Sequence, residues 1–395
     1  MKCLFTKKKV EDAILSLGGY WSPLSALARL SEEIGEVAQE IRVNGVGSTL
    51  IKELSDVFII STCLANQYCA NLDEELINIG YSRNIHELYD STSEYHDITE
   101  AFLDMSIQAS KISRILNHYE GDKTPKCGED TCRVASEIAK LHVILVSISK
   151  SLKGNLFEEI ERVLLKNLSR DKGRFGHSQD PTTSSSIQRF KKVAEKTNCI
   201  FSSRAKIWGS YNFVEDLSLE ENLENNLKLL KRFNRVAPCE GLDGFVIEVY
   251  GKEYGDRLDN LSKTLRRVLT YLSDKDPAKI HCMNQNILRS DWRFSFGGQT
   301  FFVTTFAPCY PKKHPRYSHN PFSTFVLLQP EFSFDHNGIH AGNPKRELIK
   351  EKIRSKFREN GSEYNIDLVR QPLEVYKYVK PINIDDVPVR WWEEK

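Results

Sequence analysis

LARLSEEIGEVAQEI (Leu27–Ile41) begins the stretch that decides the fold of the first half of this chain, and KELSDVFIISTCLANQ (Lys52–Gln67) completes it. In both segments the apolar residues recur at the three- and four-residue intervals of an amphipathic helix. The connector between them contains Gly45 and Gly47, which are typical of a turn. The sequence therefore predicts two helices that are joined by a short connector and present apolar faces.

Two pairs of carboxylates lie on these helices, Glu33 with Glu36 and Glu53 with Asp56. Residues three apart share one face of a helix, so two packed helices could aim all four acids into one space. Burying like charges is costly, and a divalent cation removes that cost. Carboxylate oxygens suit Mg2+ or Mn2+, which in turn suit phosphate chemistry. A single pair of this kind is usually a solvated helix face, but two pairs beside strongly apolar faces favour a metal site.

An internal repeat extends the helical pattern through the first half of the chain. Leu27–Ile41 aligns with Phe102–Leu116, and Lys52–Leu76 aligns with Ser136–Ile160. The apolar residues are retained in the second copy, but most of the acids are not. The second copy has Gln108 for Glu33, Lys111 for Glu36, Glu137 for Glu53 and Lys140 for Asp56. The acids are therefore not needed for packing alone, and the second copy is predicted to lack a metal site.

Composition divides the chain of 395 residues into helical and mixed parts. We expect a first helical repeat at residues 1–90, a second at 91–172, a linker at 173–190 and an α+β domain at 191–395. The linker prediction follows from RDKGRFGHSQDPTTSSS (Arg170–Ser186), which is rich in Gly, Ser, Thr, Pro and charge.

The second half contains the short, β-branched and aromatic segments GFVIEVY, QTFFVTTF and STFVLLQ, which are typical of strands. A helical pattern over Leu258–Leu272 lies between the first two of them. The pair Gly297–Gly298 predicts a hairpin turn. The sequence therefore indicates a multidomain chain, in which an all-α first half precedes an α+β domain with an antiparallel or mixed sheet.

Charge and cysteine content narrow the classes of partner and compartment. A net charge of +1, from 55 basic and 54 acidic residues, does not support a generic nucleic-acid or membrane-surface binder. No apolar run is long enough to span a bilayer, and the amino terminus lacks the apolar region of a signal peptide. Nine cysteines without regular spacing favour reduced thiols in the cytoplasm. Cys127 and Cys132 form a close pair, but no matching second pair completes a zinc site.

The segments EEIGE (Glu32–Glu36) and ELSD (Glu53–Asp56) resemble the E-x-x-E…E-x-x-D signature of the MazG-like, all-α nucleoside triphosphate pyrophosphatases. The resemblance implies that an NTP or dNTP is cleaved to the monophosphate and pyrophosphate, with Mg2+ (or Mn2+) as cofactor. The implied metal ligands are Glu33, Glu36, Glu53 and Asp56, and Glu32 is implied as an outer ligand or as the base that orients water.

The same resemblance bears on assembly, because members of this family usually dimerise to build a four-helix core. It implies that the tandem copies here adopt four-helix packing as an internal pseudo-dimer with one active centre per chain. A homo-oligomer of such chains is compatible with this arrangement.

Candidates for contact with the nucleotide also follow from the resemblance. The implied phosphate contacts are Lys52, Lys166, Arg170, Lys172 and Arg174. For the last four, the alternative is a solvated helix end beside a linker. Tyr20, Trp21 and Asn66 are candidates for the nucleobase pocket, with an ordinary core position as the alternative for the aromatic residues.

The second half resembles the YqcI/YcgG family through WRFSFGGQTFFVTTFAPCYP (Trp292–Pro311) and HPRYSHNPFSTFVLLQPEFSF (His314–Phe334). Some members of that family are haem-dependent enzymes that N-hydroxylate guanidino or amino groups. Where those members have His-Pro after the strand, this chain has Ala307–Pro308. His314 and His319 are the candidates for an axial haem ligand, whereas the alternative for the aromatic strands is an ordinary core.

Three functions are compatible with these patterns. The first is a Mg2+-dependent nucleoside triphosphate pyrophosphohydrolase fused to an α+β domain. The second is a haem-dependent N-hydroxylase or monooxygenase whose helical half is regulatory. The third is a non-catalytic nucleotide-binding interaction module. Release of pyrophosphate, an absorption band of bound haem, and saturable binding without turnover would distinguish them.

Overall fold

The protein is described by a computed structural model that covers residues 2–82, 85–124, 133–170, 179–340, 342–361, 368 and 370–393. The chain forms two compact units, residues 1–182 and 183–395. The described part of the first unit is helical, and the second unit combines helices with one mixed sheet.

Helices α1 to α8 make up the first unit. Their bounds are Lys2–Leu17, Pro23–Asn44, Thr49–Gln67, Leu72–Asn78, Ile85–Ser91, Ile98–Tyr119, Val134–Ser151 and Leu156–Arg170. Residues at the helix termini explain where several of these helices begin and end. Helix α2 has Pro23 in its first turn, where the missing N–H costs nothing, and it ends at Gly45 with φ +69°. Asp97 caps α6 by accepting the backbone N–H of Thr99 at 2.8 Å.

Helices α2, α3, α6 and α7 pack together at the centre of the first unit. Helix α2 packs on α3 and helix α6 packs on α7, and these pairs are the two copies of the repeat. The pairs meet where α3 packs on α7 and α2 packs on α6, and α8 lies against α3. Helix α3 is the most enclosed, with Leu54, Val57 and Leu64 fully buried. The predicted all-α first half is confirmed.

The second unit is built around a five-stranded sheet with the order β1-β2-β5-β4-β3. The strands are Ile207–Gly209, Gly244–Tyr250, Phe294–Phe296, Gln299–Phe306 and Ser323–Pro330, in chain order β1 to β5. Strand β1 pairs with β2 in parallel, and the other pairs are antiparallel, so the sheet is mixed. The α+β prediction is therefore confirmed.

The predicted hairpin joins β3 and β4. Phe296 pairs with Gln299, and the two residues between them, Gly297 and Gly298, have φ values of +62° and +79°. Glycine adopts this left-handed region without strain, which explains the Gly-Gly pair. Helices α9 to α13 span Ser185–Lys196, Leu219–Glu240, Leu258–Asp274, Glu331–His336 and Arg346–Glu359. Helices α9 to α12 pack against the sheet.

The predicted linker, residues 173–190, is partly described. Residues 171–178 lie outside the described part, as do Cys127 and Cys132. Residues 179–182 belong to the first unit, and α9 begins at Ser185. None of the described helices combines the length and the apolar character that crossing a bilayer requires.

Candidate active site

Three of the predicted acids converge between α2 and α3. Glu33, Glu53 and Asp56 can each bring one carboxylate oxygen within 4.8 Å of the others. Glu33 is the most enclosed of them, at 3% exposure. The i,i+3 spacing on two packed helices thus produces the juxtaposition that the sequence predicts, and this donor set suits a hard divalent cation.

Two carboxylate oxygens in this group are left without partners among the described residues. Glu33 Oε1 pairs with Arg29, whereas Glu33 Oε2 is buried and no described residue forms a hydrogen bond with it. Glu53 Oε1 accepts from Lys52 Nζ at 2.7 Å, whereas Glu53 Oε2 is buried with no partner in the described part of the chain. Buried polar atoms are normally satisfied because leaving them unpaired is costly. A cation bound by these oxygens removes that cost, so the residues fit the metal that the acids imply.

The acids strongly perturb one another. Burial raises the pKa of the Glu33 carboxyl to about 8, and the Asp56 carboxylate adds to the increase while Arg29 opposes it. Burial also raises the pKa of Asp56 to about 6, with Glu53 adding to the increase and Lys52 opposing it. Protons and a cation therefore compete for these oxygens near neutral pH.

Glu36 and Glu32 flank the three-acid group without joining it. Glu36 is half-buried, and its charge contributes to the raised pKa of both Glu33 and Asp56. Glu32 is exposed and pairs with Arg29. The roles of Glu36 as a metal ligand and of Glu32 as an outer ligand or base therefore stay predictions.

Arg29 is a site residue that the sequence reasoning missed. It lies one turn before the acids on α2, and its two terminal nitrogens pair with Glu32 and Glu33. The i,i+3 and i,i+4 spacing in R-x-x-E-E is the signal that could have identified it.

A cavity of about 260 Å3 adjoins the acids. Glu32, Glu33 and Asp56 line it together with Arg29. Helices α1, α3 and α8 and the α1–α2 connector complete the wall with Leu17, Tyr20, Trp21, Ile59, Ile60, Cys63, Gln67, Leu164, Asn167 and Arg170, among others. The cavity therefore combines an acidic, cationic and aromatic lining, as a nucleotide site requires.

The predicted phosphate contacts are distributed unevenly around this cavity. Arg170, the last residue of α8, lines it. Lys52 instead pairs with Glu53 outside the lining, and Lys166 is exposed on α8 and is not a lining residue. Lys172 and Arg174 lie outside the described residues.

The predicted nucleobase candidates lie around the carboxyl end of α3, with Asn66 on that helix and Tyr20 and Trp21 in the α1–α2 connector. Tyr20 and Trp21 line the cavity, and Asn66 donates from Nδ2 to the Tyr20 hydroxyl at 3.0 Å without being a lining residue. The neighbouring Gln67, which was not predicted, lines the cavity as well. Its Nε2 donates to the Trp21 carbonyl at 2.8 Å and to Asp180 Oδ2 at 2.7 Å.

The second copy of the repeat satisfies its single remaining acid internally. Glu137, the counterpart of Glu53, accepts from Gln108 Nε2 at 2.7 Å and from Lys140 Nζ at 2.6 Å. Gln108 and Lys140 are the counterparts of Glu33 and Asp56. A tethered ammonium group therefore neutralises Glu137, so this acid of the second copy does not need a bound ion.

The haem candidates in the second unit, His314 and His319, are engaged in local contacts. His314 Nδ1 accepts the backbone N–H of Arg316 at 3.1 Å, a second hydrogen bond joins the ring to the Pro381 backbone, and the ring stacks on Tyr310. His319 is half-buried with its ring against the edge of Tyr317. These contacts give no support to an axial role for either histidine.

These features define a helical unit with a cluster of acids that could hold a cation, beside a cavity of about 260 Å3. Residues 21–76 match the model of the MazG nucleotide pyrophosphohydrolase domain, and residues 190–371 match the model of the YqcI/YcgG family. The predicted fusion of these two kinds of domain is therefore confirmed.

The chain is also similar to the "Uncharacterized protein YpjD" of Bacillus subtilis (strain 168). The two are 35% identical over 65 residues, which is 14% of this chain and 59% of that protein. The match thus spans less than two thirds of the relative's length. No solved structure matches the chain.

Proposed function

We propose that the first unit is a Mg2+-dependent nucleoside triphosphate pyrophosphohydrolase that converts an NTP or dNTP into the monophosphate and pyrophosphate. The observation that carries the proposal is the group of Glu33, Glu53 and Asp56, with two unpartnered buried oxygens, beside a cavity lined by aromatic and cationic residues. The MazG domain match over residues 21–76 supports the same class of reaction.

Glu33, Glu53 and Asp56 would hold Mg2+ or Mn2+, and Glu36 is proposed as a fourth ligand. A bound divalent cation supplies positive charge against phosphate oxygens and makes an attacking water more acidic. Glu32, an exposed carboxylate at the cavity, is proposed to accept a proton or to orient water.

Two arginines are proposed to counter the charge of the substrate. Arg170 lines the cavity from the end of α8, and Arg29 lies between Glu32 and Glu33 at the cavity wall. Guanidinium groups suit this role because they stay charged and bind phosphate oxygens in pairs. Lys52 and Lys166, which do not line the cavity, are weaker candidates for the same contact.

We infer one active centre per chain, formed in the first copy and supported by the second as an internal pseudo-dimer. The contacts of α2 with α6 and of α3 with α7 support this arrangement. The Gln108–Glu137–Lys140 network supports the absence of a second cation site. Cysteines that form no disulfide among the described residues, such as Cys63 and Cys282, favour a reducing compartment, and we propose the cytoplasm.

Release of pyrophosphate from a panel of NTPs and dNTPs with Mg2+ tests the proposal. Asp56→Asn should reduce kcat/KM by about 100-fold or more, the scale of losing one electrostatic contact to a transition state. Glu137→Gln, the matched change of an acid in the second copy, should leave kcat/KM near the wild-type value. Undiminished turnover by Asp56→Asn would contradict the ligand assignment. Saturable nucleotide binding with no pyrophosphate from any triphosphate would favour a binding module.

A further inference from the structure

We propose that Gln67 is the residue that selects the nucleobase, and that it selects bases with an exocyclic amino group. The inference rests on the proposed function, because it takes the cavity beside the acids to be the nucleotide site. Its basis is the hydrogen bonding of one side-chain amide at the carboxyl end of α3.

The orientation of the Gln67 amide follows from its partners. Nε2 donates one hydrogen to the Trp21 carbonyl at 2.8 Å and the other to Asp180 Oδ2 at 2.7 Å. Because both partners are acceptors, the amide cannot be turned over without setting its oxygen against two other oxygens. Asp180 is itself 3% exposed and held through Oδ1, which accepts the backbone N–H and the hydroxyl of Thr182.

The other end of the amide is an acceptor to which no described residue donates. Gln67 is 1% exposed, and its Oε1 is buried with no hydrogen bond from the described part of the chain. Gln67 also lines the cavity that Tyr20, Trp21 and the acids line. A buried amide oxygen without a donor is costly, so a ligand that brings an N–H group to it is favoured.

The chemical identity of that donor follows from the fact that the Gln67 amide has no free hydrogen to donate. A free side-chain amide can match the edge of uracil, thymine or hypoxanthine by accepting from the ring N–H and donating to an adjacent carbonyl. Both hydrogens of the Gln67 amide are already used, so it cannot donate to the carbonyl of such a base. The carbonyl oxygen of the base would then lie near Gln67 Oε1, and the two acceptors would repel each other. An exocyclic amino group, as on cytosine, adenine or guanine, donates to a lone acceptor without that conflict.

The size and lining of the cavity agree with a base at this end. Its volume of about 260 Å3 is close to the lower end of the roughly 300–1,000 Å3 range of small-molecule sites. Trp21 and Tyr20 contribute aromatic surface, on which any base can stack. Stacking therefore supplies affinity without selecting a base, and the selection is left to Gln67.

Equilibrium binding tests the inference independently of turnover. The ligands are the α,β-imido analogues of CTP, UTP, ATP and ITP, which resist cleavage between the α- and β-phosphates, measured with Mg2+ by calorimetry. The cytidine analogue should bind about tenfold or more tightly than the uridine analogue, and the adenosine analogue likewise more tightly than the inosine analogue. Equal binding within each pair, a preference for uridine and inosine, or no binding at all would overturn the inference.

Three variants distinguish the loss of base selection by Gln67 from a general effect of substitution on the protein. Gln67→Met keeps the side-chain length but removes the acceptor, so the ratio between cytidine and uridine analogues should fall towards one. Asp180→Asn leaves one acceptor oxygen, which the backbone N–H of Thr182 holds, and turns an amide nitrogen towards Gln67. The same ratio should therefore narrow, although Gln67 itself is unchanged. Gln39→Met, the same exchange at an exposed position of α2, should keep the wild-type ratio. A wild-type ratio in both Gln67→Met and Asp180→Asn would overturn the assignment.

The two proposals can fail separately. Pyrophosphate released equally from CTP and UTP would leave the proposed function standing and remove the role of Gln67. Selective binding of amino-bearing analogues with no pyrophosphate from any triphosphate would retain the role of Gln67 and remove the proposed activity.

Discussion

Glu33 is the residue at which the proposed metal binding, protonation and folding would be coupled. Its carboxylate is buried, shares a small volume with Glu53 and Asp56, and pairs with Arg29 as its one cationic partner among the described residues. The spacing of the acids made the cluster predictable from the sequence, because i,i+3 geometry holds in any helix. The pairing of Arg29 with Glu33 is also a contact within one helix, at i,i+4 spacing, so it was predictable from the sequence in the same way.

The stability of the first unit should depend on pH when Mg2+ is absent. The folded-state pKa of Glu33 is about 8, whereas the unfolded chain releases this proton near 4.5. The unfolded state therefore binds fewer protons between these values, and the free energy of unfolding should decrease as pH rises through this window. The decrease should be on the order of a few kcal/mol. Hydrogen exchange of the α2 and α3 amides at several pH values measures it.

Glu33→Gln is the control for this pH dependence. It removes the titrating group with little change of shape, so most of the decrease should disappear. Saturating Mg2+ should also suppress it, because the cation binds the deprotonated form. A decrease of the same size in Glu33→Gln would show that another group is responsible.

Gln67 and Asp180 mark the limit of what the sequence could predict. The residues are far apart in the chain, and Asp180 lies in a segment whose Gly, Ser and Pro content predicts a linker. Composition describes the average character of such a segment. It does not indicate that one carboxylate in it is buried against the end of α3.

The packing of helix α3 against its neighbours positions two of the acids, Glu53 and Asp56. Gly154, in the turn between α7 and α8, allows this packing, because an added Cβ would overlap Cδ1 of Ile51 on α3. Gly154→Ala should lower the free energy of unfolding by about 1–3 kcal/mol, the usual cost of overpacking. It should also weaken Mg2+ binding, because Glu53 follows Ile51 on the same helix. Urea denaturation and Mg2+ titration measure the two effects.

Gly35→Ala is the matched control on the neighbouring helix. Gly35 is exposed within α2, and an added Cβ would meet no atom within 4 Å. Replacing glycine by alanine in a helix interior should raise the free energy of unfolding by about 0.5–1 kcal/mol. Equal destabilisation by both substitutions would argue against the contact with Ile51 as the cause.

The helices and strands themselves were largely predictable from periodicity. The apolar spacing of Leu27–Ile41 falls within α2, and the Gly297–Gly298 pair forms the predicted turn. Which residues of one helix face those of another was not predictable, because it depends on packing between distant segments. That is why the sequence suggested Lys52 and Lys166 for phosphate contact, although neither lines the cavity.

The two copies of the helical repeat should differ in their cation binding, because only the first copy has the three-acid group. Mn2+ binding followed by electron paramagnetic resonance should show one centre per chain. Asp56→Asn should abolish the saturable binding, whereas Glu137→Gln should leave it unchanged. Binding that survives Asp56→Asn but is lost in Glu137→Gln would place the metal in the second copy instead.

The ammonium group of Lys140, which is covalently held beside Glu137, makes the α6–α7 pair independent of dissolved cations. A chelator can remove a dissolved ion from the α2–α3 pair, but it cannot remove a covalently attached charge from the α6–α7 pair. Depletion of divalent cations should therefore loosen one half of the core while the other half keeps its rigidity. The α6–α7 pair would then act as a cation-independent support, and only the α2–α3 pair would respond to the supply of metal.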